Sequence, residues 1–365
     1  MAAKEYPFYL KSTVILFGLI LLIYVFAQLA AILVPLAFAA FLAILLNPLA
    51  NRIESRHISK IYAICLTMLI ALVVVAAVFY FLSTQIIQFS DSLPMLKQKF
   101  AEMSVELKNW IAATFGLAVK KQDQMIKDAL GSSQAMVGQT VGSLLGTLGV
   151  TLLLPVYIFL MLLYKTLILN FLYEVFSEEN LTKVSDVLKE TKSAIQSYIV
   201  GLLIEMIIVA AMNSVALLLL GVKYALLIGV IGAILNLIPY LGGIVAIALP
   251  VLMATITKDG YTTQLGVIGA YALIQFIDNN ILVPRIVSSK VQINALVSIV
   301  VVLLGNALWG VSGMFLSIPF IAVLKIIFDR IDGLKPWGKI LGDTIPTKHM
   351  GQIWSRRRKE AVGVK

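Results

Sequence analysis

The chain has 365 residues, 60% hydrophobic and only 13% charged, with a net charge of +10 at pH 7. Apolar strings of about 20 residues exclude an ordinary soluble domain and predict an all-α, polytopic helical membrane protein. Much of the basic excess lies in the tail, with no aromatic interleaving or nucleic-acid motif, which argues against nucleic acid as a partner.

In chain order, hydropathy predicts spans over Thr13 to Leu46, read as two helices broken near Pro35 and folded as a short hairpin. Further spans cover Ile61 to Leu82, Val141 to Leu163, Ile199 to Leu220 and Leu265 to Val283, with apolar hairpins over Tyr224 to Thr257 and Ile293 to Phe328. The expectation is about six full spans plus two re-entrant hairpins, nominally eight transmembrane segments, with an extramembrane helical insert. Five regions follow: N-terminal membrane helices (1–84), an extracytoplasmic amphipathic insert (85–140), a fourth span with a cytoplasmic connector (141–198), a core of two helix-plus-hairpin repeats (199–328) and a basic cytoplasmic tail (329–365).

Lys and Arg are retained on the cytoplasmic side of a membrane. Lys4, Lys11, Arg52, Arg56, Lys60, Lys165, Lys183, Arg285 and the tail then lie inside, and both termini are expected to be cytoplasmic in a multi-pass bacterial inner-membrane protein. The run Arg356 to Lys359 reads as an orientation signal or a contact to anionic headgroups of the lipid bilayer. A second apolar run directly after the first favours an uncleaved anchor over a signal peptide. The single cysteine, Cys65, excludes an intrachain disulfide and a thiolate cluster, and is expected to be packed core.

Leu93, Leu96, Phe100, Met103, Leu107 and Trp110 recur at helical spacing among charges, an amphipathic helix for the membrane surface, a neighbouring subunit or the chain's own outer face. A weaker helix follows over Asp123 to Leu130. Gly138, Gly142 and Gly146 share one helix face and permit close helix packing, within a subunit or in a homo-oligomer. Glu178 to Ser197 reads as an amphipathic connector into the fifth span, with a lever as the alternative role.

The two hairpins turn at Asn236-Leu-Ile-Pro-Tyr-Leu-Gly-Gly243 and at Gly305-Asn-Ala-Leu-Trp-Gly-Val-Ser-Gly313. Unwound backbone at membrane depth is tolerable only where it is buried in protein or lines a watery cavity. The arm Tyr224 to Ile238 reaches only about 22 Å against a core of about 30 Å, which favours re-entry over full spanning. Val222 aligns with Val291, Tyr240 with Trp309 and Pro250 with Pro319, a weak repeat resting more on shared architecture. Opposed repeats of this kind place a substrate site near the midplane and alternate its access.

Candidate pathway residues are the polar and turn residues inside apolar sequence. Asp278, with Asn279, Asn280 and Pro284, interrupts a span, and an intramembrane carboxylate points to an ion, proton or substrate site, or else to a helix anchor. Glu205 is the second carboxylate, with interfacial solvation as its alternative. Asn236 and Asn306 offer amides for substrate or helix bonding, and Asn213 is a weaker candidate of the same kind. Gly242, Gly243, Gly305, Gly310 and Gly313 allow close backbone approach, and Pro239 frees a carbonyl. Tyr240 and Trp309 are suited to stack on a substrate, plug the path or pack between tips. Neither His57 nor His349 lies in a span, and no metal-ligand, cofactor or nucleophile constellation appears, so no enzyme is expected.

These motifs, with Leu46-Asn-Pro48 and the stretch Phe276 to Arg285, make the chain resemble the autoinducer-2 exporter family of bacterial membrane proteins over nearly its whole length. It departs at Ile293-Asn294-Ala295, where the family often carries a His-Pro pair. The resemblance implies a transporter without ATP-binding machinery, and no Gly-rich Lys-Ser/Thr phosphate loop is present. It further implies export of a small polar solute, autoinducer-2 in some members, or exchange of sodium or lithium for protons in others. A non-transporting membrane scaffold or regulator is the alternative of another class.

Overall fold

Apolar runs unbroken by charge become helices because lipid supplies no partner for a backbone N–H or C=O, and an α-helix satisfies each within its own segment. The computed structural model describes residues 7–90, 93–116, 120–122, 124, 153–176, 178–237, 242–258, 260–287 and 293–343. Every regular element among them is helical.

Helices α1 (Phe8–Gln28) and α2 (Ala30–Glu54) meet at Leu29, whose φ of −89° and ψ of 12° mark the break. The sequence placed that break near Pro35, but Pro35 and Pro48 both lie inside α2. Pro35 falls just beyond the first turn, where a missing N–H disturbs few helical bonds. No residue of α1 is buried, so α1 does not pair along α2 as the expected hairpin would. Helix α3 (Lys60–Ser90) buries Ala63, Ile64 and Thr67 on one face. Cys65 falls off that stripe and is exposed, against the expectation of a packed core residue.

The amphipathic insert forms α4 (Leu93–Phe115), and its Met103 packs on the cluster around Leu217, Val222 and Met253. At the end of α3, the Phe89 ring meets Tyr224 edge-on at 5.3 Å. The stretch Asp123 to Leu130 and the glycines Gly138, Gly142 and Gly146 lie outside the described residues, save Gln124. Helices α5 (Leu153–Leu163) and α6 (Lys165–Val175) follow, bent by 61° at their junction. Lys165 Nζ donates to Asn47 Oδ1 at 2.9 Å and Asn51 Oδ1 at 3.2 Å, and Lys60 Nζ donates to the Leu163 carbonyl at 2.7 Å. The Leu46-Asn-Pro48 motif thus pins the bend to the end of α2.

Helix α7 (Leu181–Leu219) is the central strut, 39 residues and about 58 Å long, and it packs on α2, α6, α8, α10 and α11. Its polar first turns dock on the far end of α11, where Arg330 pairs with Asp186 and Glu190 and Lys183 faces Asp332 at 3.7 Å. After the left-handed residues Gly221 and Tyr224, α8 (Ala225–Asn236) and α9 (Gly242–Thr257) pack together as the first hairpin. Their 12 and 16 residues reach only about 18 and 24 Å, short of a hydrocarbon core of about 30 Å.

Helix α10 (Thr262–Ile277) continues as a π-helical stretch, Asp278–Val287, that contains Pro284. Pro284 has no N–H to give and its ring crowds the carbonyl one turn back, a conflict that a widened turn relieves. Helix α11 (Ala295–Arg330) reverses direction at Trp309 and Gly310, where Gly310 takes φ 61°. A Cβ on Gly313 would stand 1.9 Å from the Gly305 carbonyl oxygen, so the two arms touch through bare backbone. Asn294 begins this second hairpin as an N-cap, accepting from Val297 N at 2.9 Å. Its own backbone N–H donates to the Leu341 carbonyl at 3.1 Å, in α12 (Lys335–Leu341), so both ends of the hairpin lie on one side.

Among the described residues six helices are long and apolar enough to cross a membrane, and the bent α5–α6 pair is a seventh candidate. One of the six, α11, meets that test by length but folds back on itself. The chain is a multi-pass α-helical membrane protein.

Candidate transport site

Helix α7 presents Glu205 toward the ends of α8 and α10, and the residue is only 5% exposed. Asp278 opens the π-helical stretch at 2% exposure, and its carboxyl group lies within hydrogen-bonding reach of the Glu205 carboxyl. Asn236, the last residue of α8, donates its Nδ2 to Asp278 Oδ2 at 2.8 Å. Three helices thus bring two carboxyl groups and one amide together, although Asp278 is 73 residues from Glu205 in the sequence. One oxygen of each carboxyl group, Glu205 Oε2 and Asp278 Oδ1, makes no hydrogen bond within the protein. A buried carboxyl pair with open acceptor positions can take up a proton or a small cation, since either relieves the repulsion between like charges.

Asp278 continues the buried stripe of α10, following Val267, Tyr271 and Ile274 at four-, three- and four-residue steps, and the widened turn starts at it. In the π-helical stretch each bond spans one extra residue, so neighbouring side chains swing off the ordinary helical stripe. Asp278 turns inward while Asn279, Asn280 and Pro284 are exposed. Asn279 Oδ1 accepts from Gln275 Nε2 at 3.2 Å, and Asn280 Nδ2 donates to the Phe276 carbonyl at 2.8 Å. These asparagines stay on their own helix and do not reach the carboxyl pair.

The hairpin tips divide. In the first, Gly243 lies against α10, where a Cβ would stand 2.8 Å from Gln275 Oε1. Gly242 begins α9, while Pro239 and Tyr240 lie outside the described residues. In the second, Gly305, Gly310 and Gly313 build the reversal, Asn306 is exposed, and Trp309 Nε1 donates to the Phe26 carbonyl at 3.0 Å. The Trp309 and Phe26 rings also stack at 6.3 Å, so this tip leans on α1. The second hairpin packs on a different stretch of α7, with Leu316 buried among Ile195, Tyr198 and Ile199. The carboxyl pair and the reversal at Trp309 are two separate features of the described residues.

Sequence reasoning passed over Tyr271, Gln264 and Gly232 and ranked Asn213 low. Asn213, Tyr271 and Gln264 are buried and each leaves a side-chain oxygen without a partner. A signal was present: Gln264, Tyr271 and Asp278 recur every seven residues along α10, and Asn213 follows Glu205 by two turns on α7. Among the described residues no group of three or more His, Cys, Asp or Glu could hold a metal ion.

Long apolar helices, a broken re-entrant pair and buried carboxyl groups at a helix interruption define a polytopic membrane transporter. The chain belongs to the AI-2E transporter family, whose profile, described as AI-2E family transporter, matches residues 15–333. It is 24% identical over 335 residues to the AI-2 transport protein TqsA of Escherichia coli (strain K12), covering 90% of this chain and 95% of that protein. PerM of the same organism is 29% identical over 307 residues, 82% of this chain and 87% of PerM. YrrI of Bacillus subtilis (strain 168) is 23% identical over 303 residues, 81% of this chain and 85% of YrrI.

Proposed function

We propose that the chain is a secondary transporter of the bacterial inner membrane that exports a small polar solute by alternating access. Transport is coupled to a proton or sodium ion at Glu205 and Asp278, both termini face the cytoplasm, and the working unit is a homo-oligomer without enzymatic activity. The single observation that carries this reading is the buried Glu205–Asp278 pair beside Asn236, at the junction of α7, the first hairpin and the widened turn of α10. Ionisable groups deep in a span are expensive to keep and mark ion or substrate pathways. The name of TqsA supports an autoinducer-2-like solute as the first cargo to try.

The same pair favours a second reading, cation/proton antiport with no organic cargo. Proteoliposomes carrying the full chain separate the two when solute, sodium and proton fluxes are followed with and without imposed gradients. Solute movement driven by an ion gradient, lost in Asp278→Asn, supports coupled export. Proton-linked sodium flux without solute movement supports antiport, and no flux under any gradient removes transport altogether.

A further inference from the structure

Glu205 and Asp278 are buried, and their carboxyl groups lie within hydrogen-bonding reach of each other. Neither meets a compensating charge: among the described residues no Lys, Arg or His forms an ion pair with either. The other ionisable group close enough to feel Glu205 is the Tyr198 phenol, two turns back along α7, and Asn236 on α8 is neutral. On α10, Tyr271 stands two turns before Asp278, and Arg285, toward the far end of the widened turn, is exposed.

Two carboxylates this close repel each other, and withdrawal from water makes a doubly charged pair costlier still. One proton resolves both problems. The protonated carboxyl becomes a donor, its neighbour stays an acceptor, and the pair holds one negative charge in place of two. Such a proton belongs to the pair and not to either residue. Glu205 Oε2 and Asp278 Oδ1 have no partner within the protein, so no other donor competes for them.

A sodium ion fits less well. Hard cations need a shell of oxygen ligands, yet Asn236 presents a donor, its Nδ2, to Asp278 Oδ2 at 2.8 Å. That N–H end repels a cation from the oxygen it occupies. One turn away on the same three helices, Val209, Ala233 and Ile274 form a buried apolar layer, with the side chains of Asn213 and Tyr271 beyond it. Among the described residues no third acid, His or Cys joins the pair.

We propose that Glu205 and Asp278 hold a single proton between them, and that Asn236 makes the pair selective for that proton over sodium. This deepens the transport reading above, on which its role in a cycle rests, by naming the ion and the residue that selects it.

Two binding measurements on the full-length protein test it without requiring flux. Infrared spectra at neutral pH should show the C=O stretch of one buried protonated carboxyl in wild type, shifted in D2O and lost in the double variant Glu205→Gln, Asp278→Asn. The band should persist when sodium replaces choline at constant pH, and the wild-type melting temperature should be the same in both salts. Asn236→Asp keeps the shape and replaces the donor with an acceptor, so it should gain a sodium-dependent rise in melting temperature. Absence of the band in wild type overturns the shared proton, as does its loss on adding sodium. Stabilisation of wild type by sodium, lost in the double variant, overturns it as well. An Asn236→Asp protein that folds and stays indifferent to sodium overturns the selective role of Asn236; should it not fold, Asn236→Ser takes its place under the same criterion. Intact proton binding with no flux under any gradient removes the transport reading alone, and flux without a protonated carboxyl removes this proposal alone.

Discussion

Asn236 and Asp278 join across 2.8 Å, tying the last residue of the first hairpin's leading arm to the first residue of the widened turn in α10. The bond holds Asp278 Oδ2, while the other oxygen, Oδ1, has no protein partner. Removing the amide in Asn236→Ala is expected to destabilise the protein by about 1–3 kcal/mol, the range for a hydrogen bond to a buried charged group. Melting of the purified protein in detergent, in a cycle with Asp278→Asn, measures the link. Coupling below about 0.5 kcal/mol would show that the two residues act independently.

The second hairpin depends on two glycines facing each other. A methyl group on Gly313 would lie 1.9 Å from the Gly305 carbonyl oxygen and 3.0 Å from the Trp309 Cβ. Since one obstacle is backbone, Gly313→Ala is expected to lower stability by about 1–3 kcal/mol or more. Gly310→Ala meets no atom within 4 Å but needs a left-handed φ of 61°, so a smaller loss of about 1 kcal/mol is expected there. Equal melting temperatures for Gly313→Ala and wild type would contradict the close approach.

At the α5–α6 bend, Lys165 is the donor for the buried Asn47 and for Asn51. Lys165→Met keeps the length of the side chain and removes its donors. A loss of about 1–2 kcal/mol is expected, with faster hydrogen exchange at the start of α6. Exchange equal to wild type in 165–169 would leave the bend without this support.

Arg330 holds the start of α7 against the end of α11 through Asp186 and Glu190, all three partly exposed. Solvent screening keeps such pairs near 0–1 kcal/mol, so Arg330→Ala should move global melting little and raise exchange in 181–195. Nearby, Asp332 is held below the ordinary carboxylate range by the hydrogen bond and charge of Lys335, and then by Lys183. A depressed folded value means this contribution is complete above the unfolded value of about 3.9 and fades as pH falls through the folded one. Protection of the α12 amides, with exchange corrected for its intrinsic pH dependence, should therefore stay constant between about pH 5 and pH 8 and fall only below about pH 4. A fall in protection near neutrality would contradict the sign.

The helical character of the chain was legible because apolar length and charge interruptions act locally. The reversal at Trp309 and Gly310 was legible for the same reason: Gly and aromatic residues break an apolar arm wherever it packs. Glu205 and Asp278 were readable as separate polar intrusions. Their meeting depended on how α7, α8 and α10 pack against one another, which the composition of no single segment records. Cys65 was misjudged because a lipid-facing position is as apolar as a packed one. The same ambiguity hid Tyr271, whose hydroxyl is conspicuous only once its lack of a partner is seen.

By itself the sequence determined that this is a helical membrane protein with two apolar hairpins, since insertion in lipid depends on the composition of each segment. Only the tertiary structure decided that Glu205, Asn236 and Asp278 converge, that Val209, Ala233 and Ile274 separate them from Asn213 and Tyr271, and that Trp309 leans on α1. The physical reason is the solvent: lipid and protein interior are equally apolar, so hydropathy fixes which segments enter the membrane and not which faces meet there. That choice falls to close backbone contact and polar pairing, as where Gly229 brings α8 onto the backbone of Ser214 in α7.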